Sequence, residues 1–227
     1  MPVPSPNPEL LRSLGRLARG LSALFWGLPA ALIVCAETVK ADVLQPVEIV
    51  PAVLANGLLL FGLWQMGDFQ KQERPWSNAL DRAKLLALVN LGLCPFFYWQ
   101  NRMPEELYFA AAVFAFLLSS LLFVFNLNIV IKRLGAMLPD ETLRHESREF
   151  TAFNRWMLAL WVLLVVASVL ALRFHLEMRI DQTLWFWTER VAIAVMLFLG
   201  LSPLAVTMAL LWKTKEVIFE GVFGARR

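Results

Sequence analysis

Histidine, cysteine and charge within long apolar runs are all scarce in this sequence, and each shortage removes a class of chemistry. Of 227 residues only two are histidine, His145 and His175, and the topology derived below puts them on opposite faces of a membrane, where they cannot share a haem, a metal or a catalytic centre. His145-Glu146 is followed by Ser147-Arg148-Glu149, without the second histidine of a zincin helix. No G-x-S-x-G, C-x-x-C or phosphate-binding glycine loop occurs. The expectation is a protein that is not an enzyme and carries no cofactor or metal. Glu141, His145 and Glu149, spaced four apart, read as a surface ion-pair ladder.

The two cysteines, Cys35 and Cys94, lie inside apolar runs. Along a membrane normal they differ by roughly 9 Å at helical rise. That exceeds the usual Cα separation of a disulfide, so two buried free thiols are expected. No N-x-S/T acceptor is present.

What the sequence has in quantity is apolar side chains: 59% hydrophobic against 17% charged, with a mean hydropathy of +0.60. These are values for a membrane protein. Cutting the chain at every charged residue leaves six uncharged runs of seventeen residues or more: Gly20 to Ala36, Ile49 to Gly67, Leu85 to Asn101, Leu107 to Ile131, Trp156 to Leu172 and Val191 to Trp212. A helix over the longest run reaches roughly 38 Å, more than the ~30 Å hydrocarbon core. Six such runs leave no room for a separate soluble domain.

The net charge of +3 is explained by topology rather than by an anionic partner. With the N-terminus inside, sixteen of the 21 Lys and Arg fall on inner segments, and only Lys40, Arg102, Arg173, Arg179 and Arg190 fall outside. This is the positive-inside pattern, and nucleic-acid binding is not expected. Three arginines before an apolar run, with Val34-Cys35-Ala36, also resemble a signal peptide. Its removal would leave five spans and strand the charge pattern.

The sequence thus predicts an all-α, polytopic membrane helix bundle in a single domain. It has six transmembrane helices, both termini cytoplasmic, and sits in a bacterial inner membrane or its equivalent. Short interfacial amphipathic helices are expected at each end, over 8–20 and beyond Trp212. A charged stem over 140–155 should continue into span five, and the link carrying Trp185, Phe186 and Trp187 should lie at the outer interface. Pro75 should break the loop before a helix capped at Ser77 or Asn78. Pro29 should bend span one, and Pro95 and Pro203 should open the backbone.

Two kinds of candidate site emerge. Ala23, Gly27, Ala31 and Cys35 on span one, and Ala111, Ala115 and Ser119 on span four, form strips of small residues that admit another helix, whether of this chain or of a partner. Asn56, Asn90, Asn126 and Asn128 are amides inside spans. Asn90 and Asn126 lie at similar depth and can pair across helices, or line a polar path with Pro95 and Pro203. The Leu-Gly-Leu-x-Pro pattern of spans three and six, with the two strips, admits an inverted three-plus-three repeat. Three functions fit: a non-catalytic membrane subunit or scaffold binding other subunits or its own copies; a small-solute transporter or its substrate-binding membrane component; and a lipid-handling or membrane-shaping protein, marked by a groove open to lipid.

Overall fold

The computed structural model describes residues 8–40, 49–70, 72–138, 141–178 and 182–223. Among them are seven helices and no strand. They are α1 (Pro8–Lys40), α2 (Val50–Met66), α3 (Arg74–Leu93), α4 (Phe96–Arg102), α5 (Leu107–Met137), α6 (Glu141–Met178) and α7 (Gln182–Phe223). Among the described residues two stretches are long and apolar enough to cross a membrane, Leu11–Thr38 and Leu107–Met137; Val50–Met66 is apolar but shorter.

The amphipathic segments at the two ends are continuous with the apolar runs. α1 runs from the amphipathic segment through the first apolar run without a break, and α7 likewise continues past Trp212 to Phe223. Nothing in either junction supplies a breaker: Ala18-Arg19-Gly20 and Lys213-Thr214-Lys215 continue the helical hydrogen bonding. α1 also continues through Pro29, and α7 through Pro203. At Pro95 the chain does break, α3 ending at Leu93 and α4 starting at Phe96. The two Leu-Gly-Leu-x-Pro sequences therefore differ in structure. Pro75 sits in the first turn of α3, where a missing N–H costs nothing, so that helix begins at Arg74 and is not capped by Ser77 or Asn78. Asp140 at the start of the expected stem and the side chains of Trp185, Phe186 and Trp187 lie outside the described residues.

Packing between helices closes a ring in the order α1, α2, α3, α5, α6, α7 and back to α1, with α4 bridging α1 and α5. Neighbours in the ring are antiparallel. Arg16 near the start of α1 pairs with Asp68 just beyond α2, and Glu146 at the start of α6 pairs with Lys213 in the last turns of α7. One end of the bundle consequently gathers Arg12, Arg16, Arg19, Arg74, Arg82, Lys84, Lys132, Arg133, Arg144, Arg148, Lys213 and Lys215. We call it the basic end.

The tight core lies towards that end. Leu17, Leu21, Leu24, Leu63, Met66, Leu80, Leu127, Ile131, Leu134 and Leu210 are fully buried in one cluster. α1 and α2 approach most closely here. A Cβ on Gly20 would lie 2.6 Å from the Gly62 carbonyl oxygen and 2.7 Å from Met66 Cγ, closer than any real contact. Trp76 plugs the α2–α3 turn, its Nε1–H donating to the Phe69 carbonyl at 2.9 Å.

Candidate functional site

Beyond this core the ring widens around a cavity of about 590 Å³. Each of the seven helices contributes to its wall: Leu28, Ala31 and Cys35 from α1, Asn56 and Leu59 from α2, Asn90 from α3, and Phe97 from α4. The wall is completed by Val113 to Phe125 on one face of α5, Asn154 and Trp161 from α6, and Gly200 to Leu204 on α7. None of the described lining residues is charged. Leu32, Leu117 and Leu201 line it too, yet each is nearly half exposed on the bundle's outer surface. The cavity therefore opens on the apolar flank of the bundle beside Leu32 of α1, Leu117 of α5 and Leu201 of α7.

Polar groups are few, and most are tied to a helix. Asn56 Nδ2 donates to its own helix at the Ala52 carbonyl, 2.9 Å away, and to Cys35 Sγ at 3.7 Å, joining α2 to α1. Asn128 on α5 is fully buried; its Nδ2 donates to the Val124 carbonyl (2.8 Å) and to Thr207 Oγ1 on α7 (2.7 Å). Asn154 on α6 donates to the same hydroxyl at 3.4 Å, and Thr207 passes its own proton to the Pro203 carbonyl at 2.7 Å. Three helices thus meet at one hydroxyl. Three asparagine oxygens among the described residues remain buried with no protein donor, Asn90 Oδ1, Asn128 Oδ1 and Asn154 Oδ1, as does the carboxamide oxygen of Gln100 near the far end of α4. Asn90 and Asn154 line the cavity.

The chain matches no family model, no curated protein and no solved structure. Function has to be argued from the geometry.

The residues singled out from sequence fall into distinct places. Ala31, Cys35, Asn56, Asn90 and Pro203 line the cavity. Gly27 and Ala23 face α2: a Cβ on Gly27 would stand 2.8 Å from Leu59 Cδ2, and Ala23 Cβ lies 3.3 Å from where a Cβ on Gly62 would be. The span-one strip is therefore covered by the chain itself. On α5 the strip divides, Ala111 and Ala115 exposed and Ser119 buried with its hydroxyl unpartnered. Asn126 and Asn90 do not pair, because Asn126 Nδ2 turns back to the Leu122 carbonyl at 2.9 Å. Pro95 stands at the α3–α4 break outside the lining. Cys35 and Cys94 are free and share one small apolar cluster with Ala52, Phe97 and Phe116. His145 pairs with Glu149 at 3.6 Å on an exposed helix face.

Asn154 and Thr207 went unremarked in the sequence. Asn154 is embedded among Arg148, Glu149 and Arg155, where it reads as part of a solvated stem, yet it is only 2% exposed. A signal was available in the period: Phe150, Asn154 and Trp161 are four and seven apart, one face of a helix.

Proposed function

We propose that the chain is an integral membrane protein, crossing the bilayer six times with both termini on the cytoplasmic side, that takes up the apolar chain of a lipid in its cavity. The observation that carries this reading is the cavity itself: apolar, uncharged among its described lining residues, and continuous with the outer flank at Leu32, Leu117 and Leu201. Ligand cavities commonly span ~300–1,000 Å³, so about 590 Å³ is within the range of a bound molecule. The flank itself supports immersion in lipid. Trp26, Trp64, Leu54, Leu85, Phe114, Leu163 and Phe198 are all more than half exposed. Apolar surface of that extent is foreign to water but matched to hydrocarbon. A small polar solute is poorly served, because few polar groups face the cavity and several already have partners.

The six-span topology is tested by reporter tags. Tags after Asp68 and after Arg148 both report the cytoplasm; opposite sides would end the reading. Lipid uptake is tested by extracting the protein purified in mild detergent and weighing what elutes by mass spectrometry. A stoichiometric apolar molecule is expected, and a clean protein refractory to added lipid would count against it.

A membrane subunit that docks on other helices is the second reading, favoured by one observation: Ala111 and Ala115 leave a smooth, exposed face on α5. Replacing both with leucine should abolish a higher band on a native gel if this face is used.

A further inference from the structure

We propose that the elbow between α4 and α5 is an interfacial anchor: it lies in the headgroup layer of the leaflet opposite the basic end, with Trp99 and Tyr108 against phospholipid. This rests on the membrane-crossing reading above and adds the surface by which that end of the bundle engages the bilayer.

α4 ends at Arg102 and α5 begins at Leu107, and every residue from Asn101 to Tyr108 is exposed. The aromatic side chains around this turn nevertheless form one cluster. Trp99 stacks on Phe109, ring centroids 6.3 Å apart and planes 17° from parallel. Phe96 meets Tyr108 at 5.9 Å and Phe109 at 6.3 Å, and Tyr98 lies edge-on to Trp99 at 5.6 Å. The Arg102 guanidinium covers the Tyr98 ring at 5.0 Å, and Gln100 Nε2 donates to the Pro104 carbonyl across the turn at 3.5 Å. The patch is held together by these contacts, yet Trp99 remains 40% and Tyr108 67% exposed. Neither the Trp99 indole N–H nor the Tyr108 hydroxyl has a hydrogen-bond partner among the described residues.

Water and hydrocarbon each fit half of this surface. In water an exposed apolar patch marks a surface that meets something else. Hydrocarbon takes the rings but not the charges: Arg102, Glu105 and Glu106 are exposed in the same elbow, and neither carboxylate has a cationic partner among the described residues. Stripping such a group of water costs several kcal/mol. The headgroup layer meets both demands. It keeps charge hydrated, and it receives the rings of Trp and Tyr with their N–H and O–H directed to lipid oxygens.

Helix length puts the elbow at that level. Between Glu106 and Lys132, α5 carries no charge from Leu107 to Ile131, roughly 38 Å of helix against a ~30 Å hydrocarbon core. With Lys132 and Arg133 at the opposite surface, the excess of about 8 Å is about five residues at helical rise, enough to carry Tyr108 and Phe109 out of the hydrocarbon. The same short helix α4 turns Phe97 into the cavity wall, so it joins the cavity to the membrane surface.

The test uses the full-length protein in phosphatidylcholine vesicles and reads Trp99 as the difference between the unaltered chain and Trp99→Phe. The quenchers are 1-palmitoyl-2-(6,7-dibromostearoyl)phosphatidylcholine, its 11,12-dibromo isomer, and iodide on both sides of the bilayer. The shallow bromines should quench the Trp99 component about twofold more than the deep ones, as expected of an indole at headgroup level, and iodide should quench it weakly. Stronger quenching by the deep bromines puts the ring in hydrocarbon and overturns the anchor. Quenching by iodide with none from bromine puts the elbow in water and overturns it too. Protection from all three quenchers also overturns it, because a second copy or another protein then covers the patch. In these cases bromine quenching of other tryptophans, Trp26 and Trp64 among them, leaves the membrane reading intact; its absence throughout the protein overturns both. Should Trp99→Phe fail to fold, Tyr108→Trp reports from the same patch, and its added fluorescence must follow the same order of quenchers.

Discussion

Replacing Gly20 with alanine puts a methyl group 2.6 Å from a backbone oxygen, that of Gly62, and 2.7 Å from Met66 Cγ. The methionine can swing aside. The carbonyl cannot, because it belongs to the helix, so α1 and α2 must separate by several tenths of an ångström along their crossing. A gap of ~0.5–1 Å forfeits a quarter to a half of the dispersion energy of the atoms that part, and Leu21, Leu24, Leu59 and Leu63 all pack at this crossing. Overpacking of this kind costs about 1–3 kcal/mol, offset by up to ~1 kcal/mol because alanine is the better helix former. The net loss is about 1–2 kcal/mol, or a fall in Tm of roughly 2–8 °C for a chain of this size. Gly57→Ala is the matched control. It makes the same exchange in α2, but nothing lies within 4 Å of the new methyl, so only the propensity gain remains and Tm should stay level or rise. Thermal denaturation in detergent, followed by loss of monodispersity, reads both. If Gly20→Ala melts at or above Gly57→Ala, the close approach of α1 and α2 is wrong.

Two further substitutions address the polar contacts. Thr207→Val keeps the shape but removes the hydroxyl that accepts from Asn128 and Asn154 and donates to Pro203. At ~0.6–1.7 kcal/mol per hydrogen bond in membrane bundles it should lower Tm by several degrees, whereas Thr207→Ser should not; the opposite order would mean the methyl group matters and the hydroxyl does not. The Lys213–Glu146 pair is more than a third exposed on each side, so Glu146→Gln should cost less than about 1 kcal/mol, and adding Lys213→Met should cost little more. A collapse of folding on either change would show that this contact is structural in a way its exposure does not suggest.

How far the sequence reaches can be judged from individual positions. Helix identity was plain, because runs such as Leu107 to Ile131 carry neither charge nor breaker. Helix ends were harder. Lys and Arg mark where a membrane surface should be, but they are good helix formers, so α1 and α7 run straight through the places where composition changes. The small-residue strip on span one was visible, but the tightest approach to α2 lies outside it, at Gly20 against Gly62; it depends on how two helices cross, and no single-helix pattern encodes that. Of the amides singled out in the apolar runs, Asn56 and Asn90 do line the cavity. Asn126 does not, and nothing local separates it from Asn56, since both turn the amide back to the carbonyl four residues earlier. Asn154 was hidden by its charged neighbours: charge describes one face of a helix, and Asn154 is on the other.

The junction between α3 and α4 follows from one residue just outside the cavity. Proline at 95 has no N–H for the Leu91 carbonyl, and the Cys94 thiol takes that place, its Sγ 3.2 Å from the Leu91 oxygen. α3 therefore stops at Leu93, and the chain resumes as the seven residues of α4, which lean between α1 and α5 and set Phe97 edge-on to Phe116, ring centroids 4.7 Å apart. The backbone keeps helical angles through Cys94 and Pro95, so α4 follows α3 closely and brings Phe97 into the cavity wall. Pro95→Ala returns the missing donor. The new N–H should reclaim the Leu91 carbonyl, release the Cys94 thiol and let α3 run on towards Arg102, carrying Phe97 out of the wall. The S–H stretch in infrared spectra should rise in frequency as the thiol loses its acceptor, whatever the cavity binds. An unchanged S–H band would mean that the thiol does not depend on the proline, and the break in α3 would need another cause.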